Sequence, residues 1–297
     1  MSVIKVNNIT NRDGTSGPVI AGVTTVSSTS HFVVPTGNTG QRVGLAPDPF
    51  INNLVLALPF NSESVFDDIS PRSKGTAGFG VSGIGTTTAS LPFGQVGLST
   101  NTNSGIVTHS KYYGYSLFLD GSANDFLRFN DSIDYEWSSE PFTWEVWIYF
   151  KSFGASYDSI FSRWGDGIQF QFLWQNSSSR WFLSLNSSVT GNTTVYFYDT
   201  IATDNWYHLS LQRIDQTTYI LFKNGVKIDV DKTVNGNIVS SNIPFHIGVT
   251  LGGGNVPLFP LTGYLQDVRI YKGISKNPAV GIASGTQVFT PPTQIAL

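Results

Sequence analysis

The stretch DNWYHLSLQRIDQTTYILFKNG, from Asp204 to Gly225, gathers side chains that acid–base chemistry draws on: two aspartates, a histidine, an arginine and a lysine. A general base must lie within hydrogen-bond reach of its partner, so the chemistry depends on where the chain puts these groups. WYHLSLQR alternates as a strand does, with Tyr207, Leu209 and Leu211 on one face and Trp206, His208, Ser210 and Gln212 on the other. IDQTT turns and YILFK returns. Asn224-Gly225 then marks a hairpin, because a type I′ turn needs positive φ at both positions. Asp204 and Asp215 fall in loops, Arg213 and Lys223 at strand ends. These charges share no focus and are expected on the outside of a sheet.

Glycoside hydrolysis with retention needs two carboxyl groups about 5 Å apart, which on one strand means acids two or four residues apart. In PFTWEVWIYF, Glu145 is followed by Val146, Trp147, Ile148, Tyr149 and Phe150, with no second acid. Glu136 and Glu140 flank this strand in a loop and read as solvated surface. Asp229 and Asp231 share a face but have no partner nearby in sequence, and read as an exposed edge. His31, His109, His208 and His246 are scattered, and no Gly-x-Ser-x-Gly elbow, phosphate loop or EF-hand loop occurs. The triplet Gly252–Gly254 does not lead from a strand into a helix, so it reads as a loop. The expectation is a protein without enzymatic activity, with no catalytic residues and no required cofactor.

Composition bounds the elements that position these residues. Among 297 residues, 40% are hydrophobic, 13% aromatic and only 12% charged, with 30 glycines. Long helices draw on Lys, Glu and Ala, so this balance favours strands and tight turns. The absence of cysteine excludes disulfides, thiolate zinc sites and cysteine nucleophiles. A formal net charge of −3 and the lack of any Lys/Arg run give no footprint for nucleic acid or a membrane surface. The N-terminus has no long apolar core of a secretory signal, and no stretch is apolar enough for membrane insertion.

Along the chain, residues 1–48 form short apolar pieces separated by Asn, Thr, Ser and Gly. Val3, Ile4, Val6, Ile9, Val19, Ile20, Val23, Phe32, Val33 and Val34 suit an extended arm that docks or oligomerises by strand addition. Residues 49–276 carry dense strand signals, interrupted over 73–108 by a Gly/Thr/Ser-rich stretch that reads as either a long surface excursion or a pair of weak strands. In PFTWEVWIYF, Phe142, Trp144, Val146, Ile148 and Phe150 form a purely apolar face, as one layer of a sandwich requires. Residues 277–297, with VFTPP, read as an extended strap.

The order YSLFLDGSANDFLRF, PFTWEVWIYF, SIFSRW, DNWYHLSLQR, YILFKNGVKI, GYLQDVRIYKG resembles the laminin-G-like, concanavalin-A-like jelly roll over residues 50–276. NLVLALPFNSESVFDDIS fits the edge strand with which many such domains begin. The ending RIYKG…FTPPT looks like variants found in tailed-phage structural proteins. The leader, with IKVNNITNRDGTSGP and HFVVPTGNTGQRV, looks like that of marine-phage virion and fibre proteins.

The fold class implied is an all-β jelly-roll sandwich preceded by an extended arm. Domains of this fold include lectins, hydrolases and adhesion modules; the hydrolases use a Glu-x-Asp-x-x-Glu run that is missing around Glu145. Many laminin-G-like domains hold Ca²⁺ at a loop rim, which makes Asp158 and Asp166 candidate metal ligands. A sugar site needs exposed aromatics, for which Trp164, Trp174 and Trp181 are the candidates. The resemblance implies a virion protein (tail fibre, head fibre or decoration) assembled in the host cytoplasm, displaying the jelly roll for host-surface attachment or particle stabilisation. Its expected partners are other copies of itself, as a trimer, other virion proteins and a host cell-surface glycan. The alternative is a stand-alone lectin or glycoside hydrolase of the same fold.

Overall fold

Alternating strands with few charges must bury one face and manage the other, and both outcomes are visible in the computed structural model. It describes residues 32–34, 41–43, 48–60, 68–72, 78–79, 104–112, 114–123, 125–165 and 168–293. The chain divides into two units, Met1–Ala46 and Pro47–Leu297. In the first, strands Phe32–Val34 and Gln41–Val43 pair antiparallel, with Phe32 opposite Val43. Phe32, Val33 and Val34 of the expected arm therefore lie in a strand paired within the chain. Val3, Ile4, Val6, Ile9, Val19, Ile20 and Val23 lie outside the described residues.

The second unit is a two-sheet sandwich. The first sheet runs in the order Val226–Lys227, Thr218–Lys223, Trp206–Arg213, Phe142–Phe150, Thr262–Lys272, Ser116–Asp120, Gly105–Val107. Leu54–Leu58 pairs with the far half of Thr262–Lys272, placing Val268 opposite Leu58. The second sheet runs Gly191–Tyr198, Arg180–Ser187, Ile168–Gln175, Tyr157–Trp164, Phe245–Ile247, Leu127–Phe129, Gly78–Phe79. Phe142, Trp144, Val146, Ile148 and Phe150 all enter the core, as their alternation predicts, against Phe161, Phe170, Phe172, Leu183 and Leu185. Trp137 closes one end, its ring centroid 4.9 Å from both Trp144 and Phe170. Each such side chain contributes roughly 1.5–3 kcal/mol by leaving water.

The outer face of the first sheet is not the solvated exterior expected. His208, Ser210 and Gln212 are all buried, because residues 274–293 run across them. This segment's backbone bonds in part to the turn at 225–227, where Val288 N–H donates to the Gly225 carbonyl (2.9 Å) and Lys227 N–H to the Thr286 carbonyl (3.0 Å), and elsewhere to side chains. Asn277 N–H and Ser275 Oγ both donate to Gln212 Oε1, at 2.9 and 2.7 Å. Lys276 N–H donates to Thr143 Oγ1 (3.0 Å), and Trp147 Nε1 donates to the Pro292 carbonyl (3.1 Å). The outward polar residues thus form a layer between sheet and strap.

Three further expectations are corrected in the same way. Arg213 is no exposed strand end: its guanidinium donates to the carbonyls of Ser138 (2.5 Å), Gln216 (2.5 Å) and Gly236 (3.2 Å), tying three loops together. Glu136 is not solvated surface, since it accepts from Arg163 and Gln169, each at 2.8 Å. Asp229 and Asp231 are partnered, by Lys232 at 2.9 Å and Lys227 at 2.5 Å, and Asp231 also accepts from the strap's Gly281 N–H.

The predicted hairpin is present, with Asn224 at φ 53° and Gly225 at φ 78°. The strap adds a second demand on Gly225: a Cβ there would lie 1.9 Å from the Phe289 carbonyl oxygen. Gly225→Ala is expected to cost about 1–3 kcal/mol, from left-handed backbone strain together with displacement of the strap. Urea unfolding should register that loss. Protease cleavage after residue 280 should become faster; an unchanged cleavage rate would show that the strap does not depend on this contact.

Candidate binding site

Beyond the strap, the outer face of the first sheet carries four aromatic residues in direct register. Trp206 stands opposite Tyr149, Tyr149 opposite Tyr264, and Tyr264 opposite Phe118, one from each of four adjacent strands. Directly opposed residues share a face and touch; the successive ring centroids are 5.6, 5.3 and 4.8 Å apart. Gly263 allows the close strand approach, since a Cβ there would meet the Tyr149 carbonyl oxygen at 2.1 Å. His109 lies over the ladder, stacked on Tyr264 at 4.3 Å and edge-on to Tyr149 at 4.7 Å. All five rings are half-buried, so their edges and parts of their faces meet solvent.

Polar groups flank the shelf at both ends. At the Trp206 end, Tyr149 Oη donates to Asp204 (3.0 Å). Burial first, and then Asp204, raise the Tyr149 and Tyr264 phenols above their ordinary value, so both stay neutral donors. At the Phe118 end lies a groove of about 520 Å³ lined by Phe118, Asp120, Lys151, Ser152 and Thr262. Lys151 Nζ sits 5.2 Å from the Phe118 ring centroid, a cation–π distance. The Lys151 and Ser152 N–H groups both donate to the Thr262 carbonyl, at 3.0 and 3.4 Å, which fixes this wall. Flat apolar rings bordered by hydroxyls, a carboxylate and an ammonium can hold a ligand with one apolar face and a polar rim.

The residues predicted from sequence lie elsewhere. Trp174 and Trp181 face each other across adjacent strands inside the core, with centroids 4.9 Å apart. They offer no ring to a ligand. Trp164 is half-buried at a strand end on the second sheet. Asp158 is not at a loop rim but fully buried in strand Tyr157–Trp164, opposite Trp174. Burial pushes its pKa up to about 7, and among the described residues its two oxygens accept from Gly154 N–H alone, at 3.0 Å. Asp166 lies outside the described residues. Among the described residues no three His, Cys, Asp or Glu side chains are grouped to hold a metal.

Glu145, the one acid of the central strand, is buried beneath the strap with Lys276 Nζ at 2.9 Å. Burial raises its pKa, but Lys276, His208 and Arg269 together hold it below the ordinary carboxylate value. It is an ionised partner of Lys276, buried beneath the strap.

The sandwich is a concanavalin-A-like jelly roll. Residues 120–278 match the Laminin_G_3 model, described as the concanavalin A-like lectin/glucanases superfamily, and the chain belongs to this family. Comparison by sequence with curated proteins finds no match. Among solved structures, the binding domain of Paraclostridial Mosquitocidal Protein 1 aligns with a TM-score of 0.55 at 16% identity. That alignment covers 75% of this chain and 49% of that one. Domain 4 of AbnA, a GH43 extracellular arabinanase from Geobacillus stearothermophilus solved with arabinotriose, aligns at 0.52 and 16% identity, covering 74% and 93%. The botulinum neurotoxin serotype G binding domain aligns at 0.53 and 14%, covering 76% and 49%. The chain spans about half the length of the two toxin domains, and these identities establish a shared fold.

Proposed function

We propose that this chain is a non-enzymatic binding protein that holds a saccharide on the aromatic shelf of its first sheet. The observation that carries this reading is the four-strand ladder Trp206–Tyr149–Tyr264–Phe118 running into the Lys151 groove. Pyranose rings have apolar C–H faces and a hydroxyl rim, the complement of such a shelf. A saccharide-bound domain with this fold, from the arabinanase, supports the choice of ligand class. The burial of Glu145 beneath the strap argues against hydrolysis.

The resemblance of the leader and of RIYKG…FTPPT to tailed-phage structural proteins supports placing the chain on a virion. There it would act as a tail fibre, head fibre or decoration, with other copies of itself and other virion proteins as partners. Its ligand would be a host-surface glycan, bound weakly per site and strengthened by copy number.

A cell-surface polysaccharide panel tests the reading. Wild type is expected to bind at least one polymer, and Trp206→Ala to weaken that binding roughly tenfold or more while leaving the fold unchanged, because Trp206 is a half-exposed anchor. A folded wild type that binds no polymer, or a Trp206→Ala variant that binds equally well, would remove the shelf from consideration.

A further inference from the structure

On the outer face of the second sheet, four polar side chains stand in one cross-strand row. Arg128 is opposite His246, His246 opposite Ser162, and Ser162 opposite Gln171, so neighbouring Cβ atoms are about 5 Å apart on one face. The alternate residues Leu127, Phe129, Phe245, Ile247 and Phe161 enter the core. Alternation would leave the row in water, yet His246 and Ser162 have no exposed surface.

The hydrogen bonds that should accompany such burial are missing. Nε and Nη1 of Arg128, both ring nitrogens of His246 and Oγ of Ser162 are buried without a well-formed hydrogen bond among the described residues. Buried donors are almost always satisfied, and a buried cation without a counter-ion costs far more than an orphaned amide. Gln171 is already engaged, accepting from Thr250 Oγ1 at 3.4 Å. No acid stands in the row. The other nearby cation, Arg163, is neutralised by Asp131 and Glu136. Burial, then Arg128 and Arg163, hold the His246 pKa at about 3 against a backbone contact with Ser162 that raises it, so the imidazole is neutral.

The remaining groups are therefore a guanidinium with two buried nitrogens, a neutral imidazole and one hydroxyl. They amount to net positive charge and several donors in register, without an acceptor of matching charge. Arg128 is half-buried as a whole, so solvent reaches the row along its side chain.

We propose that Arg128, His246 and Ser162 bind a small oxyanion, a carboxylate or a phosphate- or sulfate-like ion, that ties strands Leu127–Phe129, Phe245–Ile247 and Tyr157–Trp164 together. Arg128 supplies the charge and a buried Nη1 N–H. Ser162 and His246 donate from the side. This site is separate from the aromatic shelf, which lies on the opposite sheet, and its occupancy does not depend on saccharide binding.

The test uses the full chain and compares sodium phosphate, sulfate and acetate with chloride at constant ionic strength. Binding only to the folded state raises Tm as a saturable function of ligand. For wild type, at least one oxyanion is expected to add about 5 °C at a hundredfold excess over Kd. Arg128→Met should lose that increment. Equal responses of wild type and variant would mean a general salt effect and overturn the site. Should Arg128→Met fail to fold, wild-type crystals soaked in selenate decide the matter. An anomalous peak within hydrogen-bond distance of Arg128 Nη1 is expected, and ordered water alone at that position overturns the proposal.

Discussion

Lys276→Met is expected to destabilise the protein by about 3–5 kcal/mol and to release the strap, the range for removing one partner of a buried ion pair. Lys276 Nζ lies 2.9 Å from Glu145 Oε2 and 4.3 Å from the Tyr271 ring centroid, and Glu145 is only 1% exposed. Arg269 stands opposite Glu145 in the sheet, but its guanidinium is engaged by Asp267 at 2.8 and 2.5 Å. Removing Lys276 therefore strands a carboxylate in a site where burial alone raises its pKa.

The pH dependence carries a sign that separates this account from simple loss of packing. In wild type the Glu145 pKa is depressed, so its stabilisation is present above the ordinary carboxylate pKa and lost as pH falls through the depressed value. In the variant burial prevails and the sign reverses, so protonation relieves the penalty and the gap to wild type narrows in acid. His208 is neutral in the fold, its pKa lowered to about 4 from 6.5 by burial first. It removes stability from both proteins as pH falls across that window, and less from the variant, because Lys276 is one of the cations that lower its pKa, so this too narrows the gap in acid. Urea unfolding across pH measures all of this, with proteolysis of residues 280–290 reporting the strap. The double variant Lys276→Met with Glu145→Gln should recover much of the loss. A single variant within 1 kcal/mol of wild type at every pH would end the argument.

Period-two alternation explains which features of the fold are readable from sequence. The apolar face of Phe142–Phe150 and the Asn224-Gly225 turn depend on neighbours in the chain, and both are present as expected. Trp174 was readable too, since it shares strand parity with Phe170 and Phe172, which pointed it inward rather than to a ligand. What alternation does not carry is the fate of the other face. Tyr149 and Trp206 point outward by pattern, but their union with Tyr264 and Phe118 depends on the register of four strands far apart in sequence. The strap leaves no periodic signal because its backbone bonds partly to side chains and partly to the turn at 225–227, and it turns the outward His208, Ser210 and Gln212 into an interior layer. Asp158 looks like a loop acid by its Asp-Ser neighbourhood, whereas the strand begins one residue earlier.

Arg163→Met is expected to cost about 3–5 kcal/mol or more, and Arg163→Lys to recover only part of it, because geometry rather than charge makes this site. The side chain has no exposed surface, and each of its five N–H donors has an acceptor. Nε donates to the Ile243 carbonyl (2.8 Å). Nη1 donates to the Tyr135 carbonyl (2.7 Å) and Glu136 (2.8 Å). Nη2 donates to the Ser241 carbonyl (2.6 Å) and to Asp131. One guanidinium thus fastens the loop after strand Leu127–Phe129 and the loop before Phe245–Ile247 onto strand Tyr157–Trp164. Lysine keeps the charge but has three donors on a flexible stem, so at least two acceptors lose their partner at roughly 1–3 kcal/mol each. Hydrogen exchange should quicken in residues 131–137 and 241–245 in both variants while strand Phe142–Phe150 stays protected. Because the group is buried, added salt should leave the difference between wild type and Arg163→Lys unchanged. A lysine variant as stable as wild type, or a deficit that salt erases, would make Arg163 an ordinary cation and leave the two loops to be held by other contacts.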